Sequence, residues 1–221
     1  MSHLYSDFIF CKNNFFQKPD RILDFAKTLE FSFTHKSFPG TRTENLLTVD
    51  HVESNDFANF FVRKLLNEVY TNIIDLDIDI RFHKYPLLKD NSLNDGWIHI
   101  DDNELLAGLV YLNSDFEDFN AGTSFFTPAE TINPPDNIRE NFNTNPESVD
   151  VNKYKELSAN HNNQFKKTIT IGNLYNRLIT YDSRLYHKPN SYYINNTDNR
   201  FILVFVILNY SYKNREYEIV E

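Results

Sequence analysis

Two rhythms of hydrophobic and polar positions follow one another along this chain. The first is helical. Pro19-Asp20 opens a helix in which Ile22, Leu23, Ala26 and Leu29 recur at helical spacing. Phe38-Pro39-Gly40 marks a turn. Ser54-Asn55-Asp56 supplies N-capping chemistry for a second helix, whose Phe57, Phe60, Phe61, Leu65 and Val69 fall on one face. That stripe reads as packing against a sheet.

From Asn72 the period drops to two. Ile74, Leu76, Ile78 and Ile80 alternate with Asp75, Asp77 and Asp79, the signature of a strand with one polar face. Further strands are predicted over 8–10, 97–100, 105–112, 123–126, 168–171, 177–181 and 201–208. Two N-terminal helices followed by strands predict an α+β chain with a β-sandwich or jelly-roll core. Residues 1–71 read as helical support, and 72–126 with 168–212 as the core. The stretch 127–167 is rich in Asn, Pro, Asp and Glu and reads as a surface insertion, either a lid or a passive loop, with a short helix near 154–157.

Composition narrows the function. Of 221 residues 41% are hydrophobic, with 20 Phe and 13 Tyr, so a sizeable core is available and wholesale disorder is excluded. The net charge of −9 disfavours nucleic acid and anionic membranes as partners. A single cysteine, Cys11, excludes an internal disulfide and thiolate zinc sites, and fits a reducing compartment. Residues 1–14 show no signal-peptide pattern, and the longest apolar run, 201–208, is far short of the roughly 20 residues of a membrane span. The expected location is the cytoplasm, or the host cytoplasm for a virus-encoded chain. No Gly-x-Gly-x-x-Gly loop and no Gly-x-Ser-x-Gly elbow occurs.

With thiolates excluded, a metal site must use His and carboxylate. In His99-Ile100-Asp101 the two outer side chains of a strand point to one face and can reach one ion. His187, on a turn after a strand, is placed to be the third ligand. Two His and one carboxylate form the facial triad of non-haem Fe(II) oxygenases, which leaves positions open for co-substrate and dioxygen. A bare His-x-Asp is a weak signal. His99 alone also reads as a hydrogen-bonded strand histidine, and Asp101 as a turn acid beside Asp102-Asn103. Arg200 opens the last apolar strand, 13 positions after His187 (200 − 187). A buried guanidinium is costly unless it meets an anion, and a carboxylate-bearing co-substrate would supply one. Arg200 also reads as a strand-end residue with its head in water.

The order His-x-Asp at 99–101, Tyr111-Leu112-Asn113, Gly122-Thr123-Ser124-Phe125, Asn176-Arg177-Leu178 with Tyr181, His187, then Arg200 resembles the 2-oxoglutarate- and Fe(II)-dependent dioxygenases, closest to their prolyl-hydroxylase-like branch. Phe38-Pro39-Gly40 and Trp97-Ile98-His99 also resemble a group of such proteins from phages and marine bacteria. The resemblance covers roughly 80–126 and 168–208. It implies a double-stranded β-helix, a cupin-like jelly roll, with N-terminal helices packed on one sheet. It implies that His99, Asp101 and His187 hold Fe(II), that Arg200 pairs with the distal carboxylate of 2-oxoglutarate, and that Tyr111 donates a hydrogen bond to the same group. The implied reaction consumes dioxygen, decarboxylates 2-oxoglutarate to succinate and hydroxylates a substrate, such as a peptidyl proline or a small molecule; ascorbate would serve as reductant. Tyr85, 14 positions before His99 (99 − 85), is too distant in sequence to be counted with this set, and His83 reads as a strand or loop histidine. Two other readings stand beside this one: a jelly-roll binding or structural protein without catalysis, and a zinc hydrolase using the same ligands.

Overall fold

The alternating run after Asn72 forms a 14-residue strand, Ile73–Pro86, paired antiparallel along its length with Asn199–Tyr212. These are β3 and β9 of the protein, seen in a computed structural model that describes residues 8–32, 40–86, 96–101, 103–113, 121–129, 150–192 and 199–212. The other elements are β1 (Ile9–Lys12), α1 (Pro19–Thr28), β2 (Thr41–Arg42), α2 (Val52–Glu68), β4 (Leu106–Tyr111), β5 (Thr123–Pro128), α3 (Val151–Asn162), β6 (Phe165–Ile171), β7 (Leu178–Asp182) and β8 (Tyr186–Pro189). A six-stranded sheet runs β1-β7-β4-β9-β3-β2, and a three-stranded sheet runs β6-β5-β8. Every pairing is antiparallel.

Side chains alternate across the large sheet, so its two faces build two cores. Phe201, Leu203, Phe205 and Ile207 of β9 join Leu106, Val110 and Leu178 against the helices, with Phe61 and Leu65 of α2 wholly buried among them. Burying each such side chain contributes about 1.5–3 kcal/mol. Close packing here has a local demand: a Cβ at Gly108 would lie 2.3 Å from the Phe205 ring and 2.7 Å from the Ile179 carbonyl oxygen. The opposite face carries Tyr85, Ala107, Tyr111, Ile179, Tyr181 and Ile202, which meet Phe125 of the small sheet. This is the α+β, two-sheet architecture the sequence predicts, with the helices on one sheet.

Several expectations need correction in detail. α2 starts at Val52, ahead of Ser54-Asn55-Asp56, because the His51 ring nitrogen caps it by accepting from the Ser54 amide. Phe60 of the predicted apolar stripe is 44% exposed, and so is Ile74 at 55%. For Ile74 the reason is a register shift between Ile73 and Asp75 that turns Ile73 inward instead. Residues 97–100 form no strand, only an isolated bridge at His99. The predicted short helix runs the full 12 residues of α3, capped by the Asp150 carboxylate, and the strand predicted over 168–171 begins earlier, at Phe165, within the segment read as an insertion. Phe38, Pro39 and the rest of that segment over 130–149 lie outside the described residues. Among the described residues no helix is long and apolar enough to cross a membrane.

Candidate active site

His99 and His187 are 88 positions apart in the chain (187 − 99), yet they are paired partners. Each donates its backbone amide to the other's carbonyl, at 3.0 and 2.9 Å. Partners across an antiparallel bridge share a face, and the imidazole centroids are 4.5 Å apart. Asp101 is placed two residues on, its amide held by the Ser183 carbonyl at 2.9 Å. One Asp101 oxygen lies 3.7 Å from His99 Nε2 and the other 3.4 Å from His187 Nε2. One candidate ligand atom from each residue lies within 4.8 Å of the other two.

Those separations suit a shared ion. Two donors each about 2.1 Å from one metal, at right angles, are about 3 Å apart. Both rings are also set in the right tautomer. His99 Nδ1 contacts the Trp97 carbonyl and His187 Nδ1 the Leu185 carbonyl, both at 2.8 Å. A carbonyl only accepts, so each Nδ1 carries the hydrogen and each Nε2 presents its lone pair on the Asp101 side. The three side chains are graded in exposure, His187 at 5%, His99 at 20% and Asp101 at 29%, which leaves one open approach to a sheltered site.

The walls are aromatic. The Tyr181 ring lies 4.7 Å from His187 and the Phe125 ring 6.4 Å. Burial first, and then the Asp101 charge, hold the Tyr181 phenol well above its ordinary pKa, so it stays neutral. Glu104 stands beside Asp101. Burial, Asp101 and Asp79 push its carboxyl up to about 7, against the pull of Arg42.

Arg200 is 4% exposed, which removes the reading of a head in water. In the β3–β9 ladder it stands opposite Tyr85. Its guanidinium lies 5.9 Å from the Tyr85 ring and 5.6 Å from the Tyr111 ring. It donates to the Ala121 carbonyl at 2.8 Å and to the Ser191 carbonyl. The Tyr111 hydroxyl is 2.9 Å from Thr123 Oγ1. Arg200 and Tyr111 are thus neighbours on the inter-sheet face. Sequence reasoning set Tyr85 aside on its distance from His99. The local pattern carried no signal for it: Tyr85 shares a face with Asp79, Arg81 and His83, the polar side of the predicted strand, and only the second sheet makes that side an interior. Glu104 carried no motif and was also missed. His83 is a strand histidine, as expected. Burial, with Arg42 and Arg81 nearby, lowers its pKa to about 3.

No protein-family model matches the sequence, and no curated protein matches it. Solved structures do. HygX from Streptomyces hygroscopicus, with nickel and 2-oxoglutarate bound, aligns over 90% of this chain and 82% of its own at TM-score 0.53 and 12% identity. SnoN, a non-haem α-ketoglutarate-dependent epimerase from nogalamycin biosynthesis, aligns over 94% of this chain and 81% of its own at TM-score 0.53 and 14% identity. A prolyl-4-hydroxylase from Pseudomonas putida aligns over 91% and 92%, at TM-score 0.46 and 10% identity. The chain therefore has the jelly-roll fold that HygX and SnoN share.

Proposed function

We propose that this chain is an Fe(II)- and 2-oxoglutarate-dependent oxygenase. The observation that carries the reading is a conjunction between the two sheets. A two-His, one-carboxylate cluster on the small-sheet side, with both imidazoles in the metal-binding tautomer, shares the inter-sheet layer with a buried guanidinium flanked by tyrosines on the large sheet. The fold shared with HygX, which was solved with iron and with nickel and 2-oxoglutarate, supports it.

His99, Asp101 and His187 would hold the iron, which when bound supplies dioxygen activation coupled to decarboxylation of 2-oxoglutarate to succinate. Arg200 would meet the distal carboxylate in a desolvated setting, where a charge-assisted pair is strong. Tyr111 would donate to the same group and orient it. Phe125, Tyr181, Ile179 and Ile202 exclude water from the inter-sheet space. A zinc hydrolase would use the same three ligands but has no role for a buried guanidinium beside them. Hydroxylation of an amino-acid side chain, with peptidyl proline as the first substrate to assay, is the finer reading.

The test is anaerobic titration of the Fe(II)-loaded protein with 2-oxoglutarate. The expected result is a weak visible metal-to-ligand charge-transfer band, absent in His187→Ala. Folded, iron-loaded protein that shows no band would overturn the oxygenase reading.

A further inference from the structure

α1 and α2 pack on the face of the large sheet opposite the His99 cluster, and a groove of about 600 Å³ lies between the start of one and the end of the other. Although the chain carries a net −9, this groove is lined by Lys18, Arg21, Arg63 and Lys64. Its single acid, Glu68, is already taken by Lys64 and by Lys12, the latter at 2.7 Å. Among the described residues Lys18, Arg21 and Arg63 have no acidic partner. Three cationic side chains facing one cavity repel one another, and two of them stand where a cation is least favoured. Lys18 is the N-cap of α1 and Arg21 lies in its first turn, against the positive end of the helix dipole. Lys18 makes no capping side-chain bond, and the first-turn acid Asp20 is engaged by the Tyr175 hydroxyl.

The groove also has a flat apolar side. Phe60 is 44% exposed, and its ring is stacked on Phe16 with centroids 6.5 Å apart and planes 28° apart. Phe16 and Phe60 both line the groove beside the cations. Cations take phosphate oxygens, and an exposed aromatic face takes a planar base. The volume is that of a small-molecule site. The acidic remainder of the chain repels a long polyanion, which favours a small ligand over a nucleic acid.

We infer that the groove between α1 and α2 is a binding site for a nucleotide, with the phosphates held by Lys18, Arg21 and Arg63 and the base laid on Phe60. This site is separate from the His99 cluster and does not depend on the reading of that cluster.

Isothermal titration calorimetry of the full chain with ADP, pyrophosphate and adenosine tests it, with thermal-shift measurements in parallel. ADP should bind one-to-one, more tightly than either fragment and more weakly as salt rises. The double variant Arg21→Gln/Arg63→Gln should lose about tenfold or more in ADP affinity while melting no lower than the wild type. Phe60→Ala should weaken ADP and leave pyrophosphate unchanged. Excess 2-oxoglutarate should not compete. The inference is overturned by any of four outcomes: no binding at millimolar ADP, unchanged affinity in the double variant, unchanged ADP affinity in Phe60→Ala, or tighter binding of a Glu-rich peptide or an oligonucleotide than of ADP.

Discussion

Replacing Arg200 separates the two halves of the proposed site. The residue is 4% exposed, and its guanidinium is held by the Ala121 and Ser191 carbonyls and flanked by Tyr85 and Tyr111. A co-substrate carboxylate meeting it there is a desolvated ion pair, and removing one partner of such a pair costs about 3–5 kcal/mol. At 1.4 kcal/mol per tenfold, Arg200→Ala should weaken 2-oxoglutarate binding by roughly two to three and a half powers of ten. Arg200 stands on β9 of the large sheet, while the three proposed metal ligands come from β8 and the 99–101 segment bridged to it, so metal affinity should change by less than about threefold. Arg200→Lys keeps the charge but loses the planar fork, and should fall between the two. The assay is calorimetric titration of 2-oxoglutarate into Mn(II)-loaded protein, with metal affinity measured by competition with a chelator. Circular dichroism confirms that each variant is folded. Equal loss of metal and co-substrate affinity, or unchanged co-substrate affinity in a folded Arg200→Ala, would refute the assignment.

Four further outcomes are expected. Glu104 has its carboxyl raised to about 7 by burial and by Asp101 and Asp79, so between its ordinary value of 4.5 and pH 7 the unfolded chain ionises first and stability falls as pH rises. Glu104→Gln should therefore stabilise the metal-free protein by about 1–2 kcal/mol at pH 8, after solvent screening, and by nothing at pH 4; equal effects at both would exclude the mechanism. His83 is held near 3 by burial and by Arg42 and Arg81, so its contribution is complete above 6.5 and is lost as pH falls from 6.5 toward 3, by roughly 4 kcal/mol. Denaturant melts of His83→Gln across that range should show a shallower acid loss than wild type. Asn176, at φ 60° and 4% exposed, bonds both the amide and the carbonyl of Phe16 at 2.8 Å. Asn176→Ala should cost about 2–4 kcal/mol in urea unfolding, because it strands both Phe16 backbone groups and puts Ala, which enters the left-handed region less readily than Asn, at that φ. Gly108→Ala should lower the melting temperature, with a cost of about 1–3 kcal/mol, since the Ile179 carbonyl that it meets belongs to the β4–β7 ladder and cannot step aside.

Local pattern and long-range pairing divided the information between them. The alternation of Ile and Asp after Asn72, the apolar run at 201–208 and the Phe stripe of α2 are local signals, because the period of a strand or a helix is written in neighbouring residues. They sufficed for an α+β chain with helices laid on one sheet. His99-Ile100-Asp101 was legible for the same reason, although the segment forms only a bridge and not the strand expected of it. His187 and Arg200 stand out by their places beside strand ends, and the family resemblance adds Tyr111.

Only the tertiary structure decided which of these meet, because that depends on register between segments far apart in sequence. The mutual amide bonds of His99 and His187 place the two imidazoles side by side, 4.5 Å apart and tilted by 48°. The two Nδ1 contacts to backbone carbonyls, which set the tautomer, have no counterpart in the sequence. The β3–β9 register puts Tyr85 opposite Arg200, a partner that its 14-position distance from His99 concealed. A one-residue shift at Ile73/Asp75 sends Ile74 outward against its own pattern. Glu104 acquires a raised pKa from burial first and then from the acids that the fold brings near it. Sequence alone determined which residues could do the chemistry; strand register and burial determined which of them stand together, since both are properties of the packed chain and of no single segment.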